Sequence, residues 1–252
     1  MNMKTIYLSP HLDDAIFSCG GWIWEQSQKG QDVEIWTVCA ADPPPAPLSE
    51  FASALHQSWK LDVNAAQHRR QEDREACRMV GAEPRHLSFV DCIYRSSSQG
   101  EPYYQTPADL FGGLDPREGD LIDEVCAALE EFLPPEVNLI APLGIGNHVD
   151  HDLTRKAASR LGRQLLYYPD YPYAFEAEGK EILGIMDSSR EWQAIELEIS
   201  LRGLEAWSRG AGAYASQIST FWEDEEAQAS EIRDFSSFLG GMRLWEAVEE
   251  DD

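Results

Sequence analysis

His11, Asp13 and Asp14 follow directly on the first apolar run of the chain, Ile6-Tyr7-Leu8, within Ser9-Pro10-His11-Leu12-Asp13-Asp14. An imidazole and two adjacent carboxylates are costly to bury without a partner, and a divalent cation is a common one. A second cluster, Asn147-His148-Val149-Asp150-His151, follows another apolar run, Asn138-Leu139-Ile140-Ala141-Pro142. Histidine and aspartate, the side chains of a hydrolytic metal site, thus recur at two junctions where a strand is expected to end.

The spacing suggests distinct roles. His11 and Asp14 are three apart, which suits joint ligation where a loop turns into a helix. His151 would complete three protein ligands and leave a position for water, the pattern of catalytic rather than structural zinc. Asp13 is less well placed to share the ion and is expected as the general base beside the water. His148 is expected as an acid or oxyanion stabiliser, with Asp150 orienting or charge-stabilising that imidazole. Each cluster alone has a plainer reading. An Asp pair often caps a helix, and His-Val-Asp-His is often a polar loop. Their recurrence after two strands favours the metal. His56, His68 and His86 have no such context.

These residues need a scaffold. At 252 residues and 43% hydrophobic, the chain can bury one large core of α/β type. Strand-like runs at Thr5–Ser9, Val33–Cys39, His86–Val90, Val137–Ala141 and Gln164–Tyr168 alternate with helical patterns. The helices are expected from Asp13 to about Lys29, over Asn64–Val80 with Gly81 as C-cap, over Glu118–Phe132, and over Leu153–Leu161. Gly20-Gly21 implies close packing inside the first of them. Asp42–Pro47 reads as a loop and Tyr94–Asp115 as a long polar excursion. Beyond Pro172, helices at Ile195–Trp207 and Asp224–Phe235 are expected to form a cap, and Glu246–Asp252 to fray. The expected organisation is one domain over 1–252, with a core to about 175 and a C-terminal elaboration over 176–252. Ligands of open parallel sheets bind at the carboxyl ends of strands where the winding reverses. Both clusters meet there if strands one and four are neighbours.

The net charge of −25 excludes nucleic acid as an expected partner, since that binding needs Lys and Arg. It also disfavours anionic lipid, and no run approaches the ~20 apolar residues of a membrane span. Five cysteines without C-x-x-C spacing read as small core residues in a reducing compartment. A soluble cytoplasmic protein is expected, and the exposed edges of an open sheet permit a homo-oligomer.

Pro10-His11-Leu12-Asp13-Asp14 together with His148-Val149-Asp150-His151 resembles the LmbE/PIG-L family of zinc-dependent N-deacetylases. Arg69-x-x-Glu72-x-x-x-Ala76, Phe89-Val90-Asp91, Tyr168-Pro169-Asp170-Tyr171-Pro172-Tyr173 and Ala213-Tyr214-Ala215-Ser216-Gln217 are similar to further family segments. The resemblance implies a Rossmann-like, mostly parallel sheet flanked by helices. It also implies hydrolysis of an N-acetyl group, usually from an N-acetylglucosamine moiety. Position by position, His11, Asp14 and His151 match the zinc ligands and Asp13 the general base. His148 matches the residue that stabilises the oxyanion or protonates the amine, and Asp150 its partner. Arg69 and Asp91 match contacts to sugar hydroxyls. Leu12 and Ala15 stand where many members carry Pro and Glu. The expected cofactor is Zn2+ or another divalent transition metal such as Fe2+, and the expected partner a small aminosugar conjugate. Two alternatives remain: a metal-dependent amidase for a non-sugar N-acyl amine, and a binding protein that keeps the fold without turnover. A substrate screen separates the first, and the intact Asp13 and His148 argue against the second.

Overall fold

The structure, a computed structural model, describes residues 3–45, 47–61 and 64–248. Seven strands form one sheet: β1 (Lys4–Ser9), β2 (Val33–Thr37), β3 (Glu83–His86), β4 (Val137–Pro142), β5 (Leu165–Tyr168), β6 (Trp192–Leu197) and β7 (Met242–Ala247). Their order is β3-β2-β1-β4-β5-β7-β6. The first five run parallel, whereas β7 is antiparallel to β5 and β6 antiparallel to β7. Ile6, Tyr7 and Leu8 are buried, as an apolar strand covered on both faces requires. In β1, Tyr7 pairs with Ile35 on one side and Ile140 on the other. β1 and β4 are therefore neighbours, and the winding reverses between them.

Nine α-helices connect and cover the described sheet: α1 (Asp14–Gln28), α2 (Glu50–Ser58), α3 (Ala65–Val80), α4 (Leu121–Phe132), α5 (Val149–Arg160), α6 (Ala177–Ser188), α7 (Leu201–Gly212), α8 (Ala215–Phe221) and α9 (Glu225–Leu239). With the right-handed crossovers usual for parallel strands, this strand order puts α1 and α3 on one face of the sheet and α5 on the other. Helix α7 packs across α1 and α3, and α4 packs on α5. The expected close packing at Gly20-Gly21 is present. A Cβ on Gly20 would lie 2.6 Å from Trp207 Cδ1, and one on Gly21 would lie 2.9 Å from Trp207 Cε3. Trp207 is fully buried and its indole N–H donates to the Phe17 carbonyl. Gly81 closes α3 with φ of 77°, a left-handed C-cap.

Other expectations are corrected. The third strand is Glu83–His86, not His86–Val90. Residues 195–197 belong to β6, and the helix begins only at Leu201, where Ser200 accepts the Gly203 N–H. Glu and Leu in that stretch favour a helix, but pairing along the whole of β7 overrides propensity. Glu246 and Ala247 extend β7 instead of fraying; residues 249–252 lie outside the described residues. The C-terminal third is thus not only a helical cap, because it adds two strands to the sheet. Helix α5 starts at Val149, four residues early, and the stretch after the proline-rich loop carries α2. No described helix is long and apolar enough to cross a membrane.

Gly20→Val should displace Trp207 from α1 and destabilise the fold by about 1–3 kcal/mol. Thermal unfolding measures it, and an unchanged Tm would contradict this docking.

Candidate active site

The turn from β1 into α1 is set by Ser9. Its hydroxyl donates to the His11 carbonyl at 2.6 Å and accepts the Ala15 N–H at 3.0 Å. Asp13 sits at the N-cap position of α1, yet its side chain makes no capping hydrogen bond. The plain capping role is therefore not the one Asp13 fills. Its Oδ2 instead accepts from Arg69 Nη2 on α3 at 3.2 Å. Arg69 is 7% exposed, and its guanidinium lies 5.0 Å from the centre of the Trp59 ring. Asp14, the next residue, folds back on the turn. Its Oδ2 accepts the His11 backbone N–H at 2.7 Å and lies 3.1 Å from His11 Nδ1.

The second cluster comes from the loop between β4 and α5. Gly144, Gly146 and Asn147 adopt φ of +81°, +88° and +57°, reversing the chain tightly enough to deliver His148 to the helix start. His148 caps α5 with its own ring: Nδ1 accepts the Asp150 N–H at 3.2 Å. Nδ1 is then an acceptor, so a neutral His148 carries its proton on Nε2. One turn on, His151 places Nε2 3.3 Å from Asp14 Oδ1 and Nδ1 2.7 Å from Asp170 Oδ1. Asp170, just after β5, also accepts the Gly144 and Ile145 N–H groups at 2.7 and 3.0 Å. One fully buried carboxylate thus fixes both the loop and the ring.

The eight residues expected from sequence lie in one contiguous cluster. Asp14 bridges His11 and His151. The side-chain nitrogens of His11, His148 and His151 can approach one another within 4.8 Å. Asp91 accepts the Ile93 N–H through Oδ1 and holds Oδ2 3.9 Å from His11 Nε2. Asp150 was expected beside the His148 ring. Its carboxylate instead meets His11 Nε2 (3.0 Å), the Cys92 N–H (2.9 Å) and Arg95 Nη1 (2.5 Å). Only its backbone N–H hydrogen-bonds His148, while the carboxylate, within 4.8 Å of a ring nitrogen, acts on that imidazole through charge alone.

Charge explains the protonation pattern. Burial raises the Asp13 carboxyl to about 6, against the pull of Arg69. Burial opposes charge on His11, but Asp91 and Asp14 outweigh it and hold that imidazole well above its ordinary range. His151 is likewise desolvated, yet Asp14 and Asp170 push it up to about 10. His148 moves the other way, down to about 3, because burial and its positive neighbours His11 and His151 both disfavour its charge. Two imidazolium protons thus offset buried carboxylates that Arg69 and Arg95 do not fully balance. Two imidazoles and a carboxylate in such surroundings suit a divalent cation, which would take the place of those protons.

Several contributors were not singled out by sequence. Asp170 had a usable signal, for it follows a strand end as the two clusters do and lies in the Tyr168–Tyr173 segment. Ser9 and Trp59 are ordinary residue types in ordinary positions. Arg95 had none: it is a lone Arg in a polar stretch, buried only by tertiary structure.

A mostly parallel sheet with a buried His/Asp cluster at its switch point carries the residue types that a water-activating hydrolase would need. Burial holds the nearby Cys92 thiol well above its ordinary pKa, so it stays protonated. The chain belongs to the PIG-L family of deacetylases, whose model, described as GlcNAc-PI de-N-acetylase, matches residues 6–161. It is 30% identical to 2'-N-acetylparomamine deacetylase of Niallia circulans over 250 residues, covering 87% of this chain and 90% of the relative. Among solved structures it is similar to a deacetylase of the teicoplanin biosynthesis pathway, with a TM-score of 0.80, 27% identity and 99% of both chains covered. The zinc-inhibited form of a teicoplanin deacetylase matches with a TM-score of 0.79, 25% identity and 99% of both chains covered.

In chelator-treated protein, ring 15N shifts should show His148 neutral and protonated on Nε2 from pH 7 down to about pH 4. A charged His148 at pH 6 would contradict this environment.

Proposed function

We propose that the chain is a divalent-cation-dependent hydrolase that removes an N-acetyl group from an N-acetylglucosamine-type or related N-acyl aminosugar. The observation that carries this is Asp13: a buried carboxylate, free of the helix end, beside the His11, Asp14 and His151 cluster. The relatives named for 2'-N-acetylparomamine and teicoplanin support an aminosugar conjugate as substrate. In this reading His11, Asp14 and His151 hold the cation, zinc or another divalent transition metal such as Fe2+. When bound, it acidifies water and polarises the acyl carbonyl.

The chain's own residues supply the rest. Arg69 fixes one oxygen of Asp13, leaving the other to accept a proton from the attacking water. His148, with Nδ1 committed to the Asp150 N–H, offers its Nε2 proton to the acyl oxygen as negative charge builds there. Its low pKa makes it a neutral donor, so Asp13 returns the proton that the departing amine requires. Arg69 and Asp91, at the rim of the cluster, are assigned contacts to sugar hydroxyls. Phe111 packs edge-on to His148, and Tyr173 to His151, adding aromatic surface beside the centre. We also assign residues 1–252 to a single working unit, because Glu72 of α3 holds Ser216 of α8 and Asp73 holds Tyr214.

The decisive assay is amine release from a panel of N-acetylglucosamine conjugates by chelated and zinc-reconstituted enzyme. Activity that appears only with metal is expected; silence across the panel with zinc stoichiometrically bound would reject the sugar. Asp13→Asn should lower kcat about 10²–10⁴-fold with the cation retained. Full activity in that variant would remove Asp13 as the base. Since Asp13 works ionised, kcat/KM should rise with pH through a limb at or below about 6, a bound cation lowering it further. Arg69→Met deletes a charge that depresses this pKa, so the limb should move to higher pH; a downward move would contradict the assignment.

A further inference from the structure

Buried polar contacts continue behind His11, past any atom the reaction uses. Asp150 faces His11 Nε2 with Oδ2 and accepts Arg95 Nη1 on Oδ1. Glu118 forms an ion pair on another side of that guanidinium, its Oε1 2.6 Å from Nε. Glu118 Oε2 accepts the Tyr104 hydroxyl at 2.5 Å, and that hydroxyl oxygen accepts the Asp115 N–H at 3.0 Å. The Tyr104 ring also lies 5.4 Å from the Arg95 guanidinium. None of the four side-chain residues, Asp150, Arg95, Glu118 or Tyr104, is more than 9% exposed.

A buried carboxylate–guanidinium–carboxylate set is seldom more stabilising than well-packed apolar residues of the same size. Anchoring the segment between Arg95 and Glu118 would need no charge at all. What apolar packing cannot do is aim a carboxylate. Asp150 takes donors from Arg95 and Cys92, and the direction so fixed determines which way the His11 ring can face.

We propose that Glu118 is a positioning residue for the deacetylase centre: with Tyr104 it holds Arg95, Arg95 holds Asp150, and Asp150 orients His11 towards the cation. This rests on the reading of His11 as a cation ligand. Without the Glu118 charge, Arg95 keeps only its Nη1 hydrogen bonds to Asp150 and the Val90 carbonyl, and Asp150 is held less firmly in direction. Partners of metal-bound histidines are worth about 10–100-fold in affinity or activity, and a group acting through them about 3–10-fold.

The test titrates the full-length protein with Co2+, followed by visible absorption, alongside amine release from N-acetylglucosamine conjugates. Glu118→Gln should weaken Co2+ binding about 3–10-fold, alter the d–d band, and lower kcat with KM unchanged. Tyr104→Phe should shift all three in the same direction by less, and it decides the matter if the Gln variant does not fold. A purely anchoring role would lower Tm and leave affinity and band as in wild type; that outcome overturns the proposal. The underlying reading fails separately, if wild type binds no Co2+ or if His11→Ala binds it as tightly.

Discussion

The constraint on which the structure turns is the burial of carboxylates at the carboxyl ends of β1, β4 and β5. Asp13, Asp14, Asp150 and Asp170 are each at most 8% exposed, and desolvated charge of one sign must find its opposite. Asp14 finds it in two imidazoles from different halves of the chain, Asp150 in Arg95, and Asp13 in Arg69. Three elements answer these charges. Helix α3 enters with Arg69, the segment after β3 with Arg95, and α5 with His151.

The same demand explains the tightness of the loops. Gly146 must lack a side chain because a Cβ would sit 2.5 Å from the Tyr173 ring, which itself packs on His151. The left-handed turn there aims two backbone N–H groups at Asp170. Further out, α7 to α9 and the last two strands bring no charged side chain to this cluster. They close the apolar face of α1 through Trp207, Tyr214 and Phe235, so the site rests on a core completed only near the C-terminus.

How much of this could be read beforehand follows from the range of the forces involved. The parallel core was legible because buried strands such as Ile6-Tyr7-Leu8 are continuous apolar runs, and the neighbouring of β1 and β4 put both clusters in one place. The metal-type residues were legible because His and Asp bunch within five positions in each cluster. What sequence hid was pairwise and long-range. Ile195–Leu197 looks helical until β7 pairs with it, and α2 hides after a proline-rich loop. Asp150 was read as serving its near neighbour His148, which its charge does, but its carboxylate pairs directly with His11, 139 positions away. Arg95 has no local mark at all.

Those separations bear on how the protein is made. The contacts that define the centre join residues 139 apart for His11 and Asp150, and 144 apart for Glu72 and Ser216. Loop closure over such spans is slow, and parallel pairing offers few local contacts to nucleate on. A chain emerging from the ribosome therefore holds its aspartates in water until strand β4 and helix α5 have been synthesised. The two clusters of the centre can meet only after α5 has been made, and the carboxylate of Asp170 that fixes His151 follows later still.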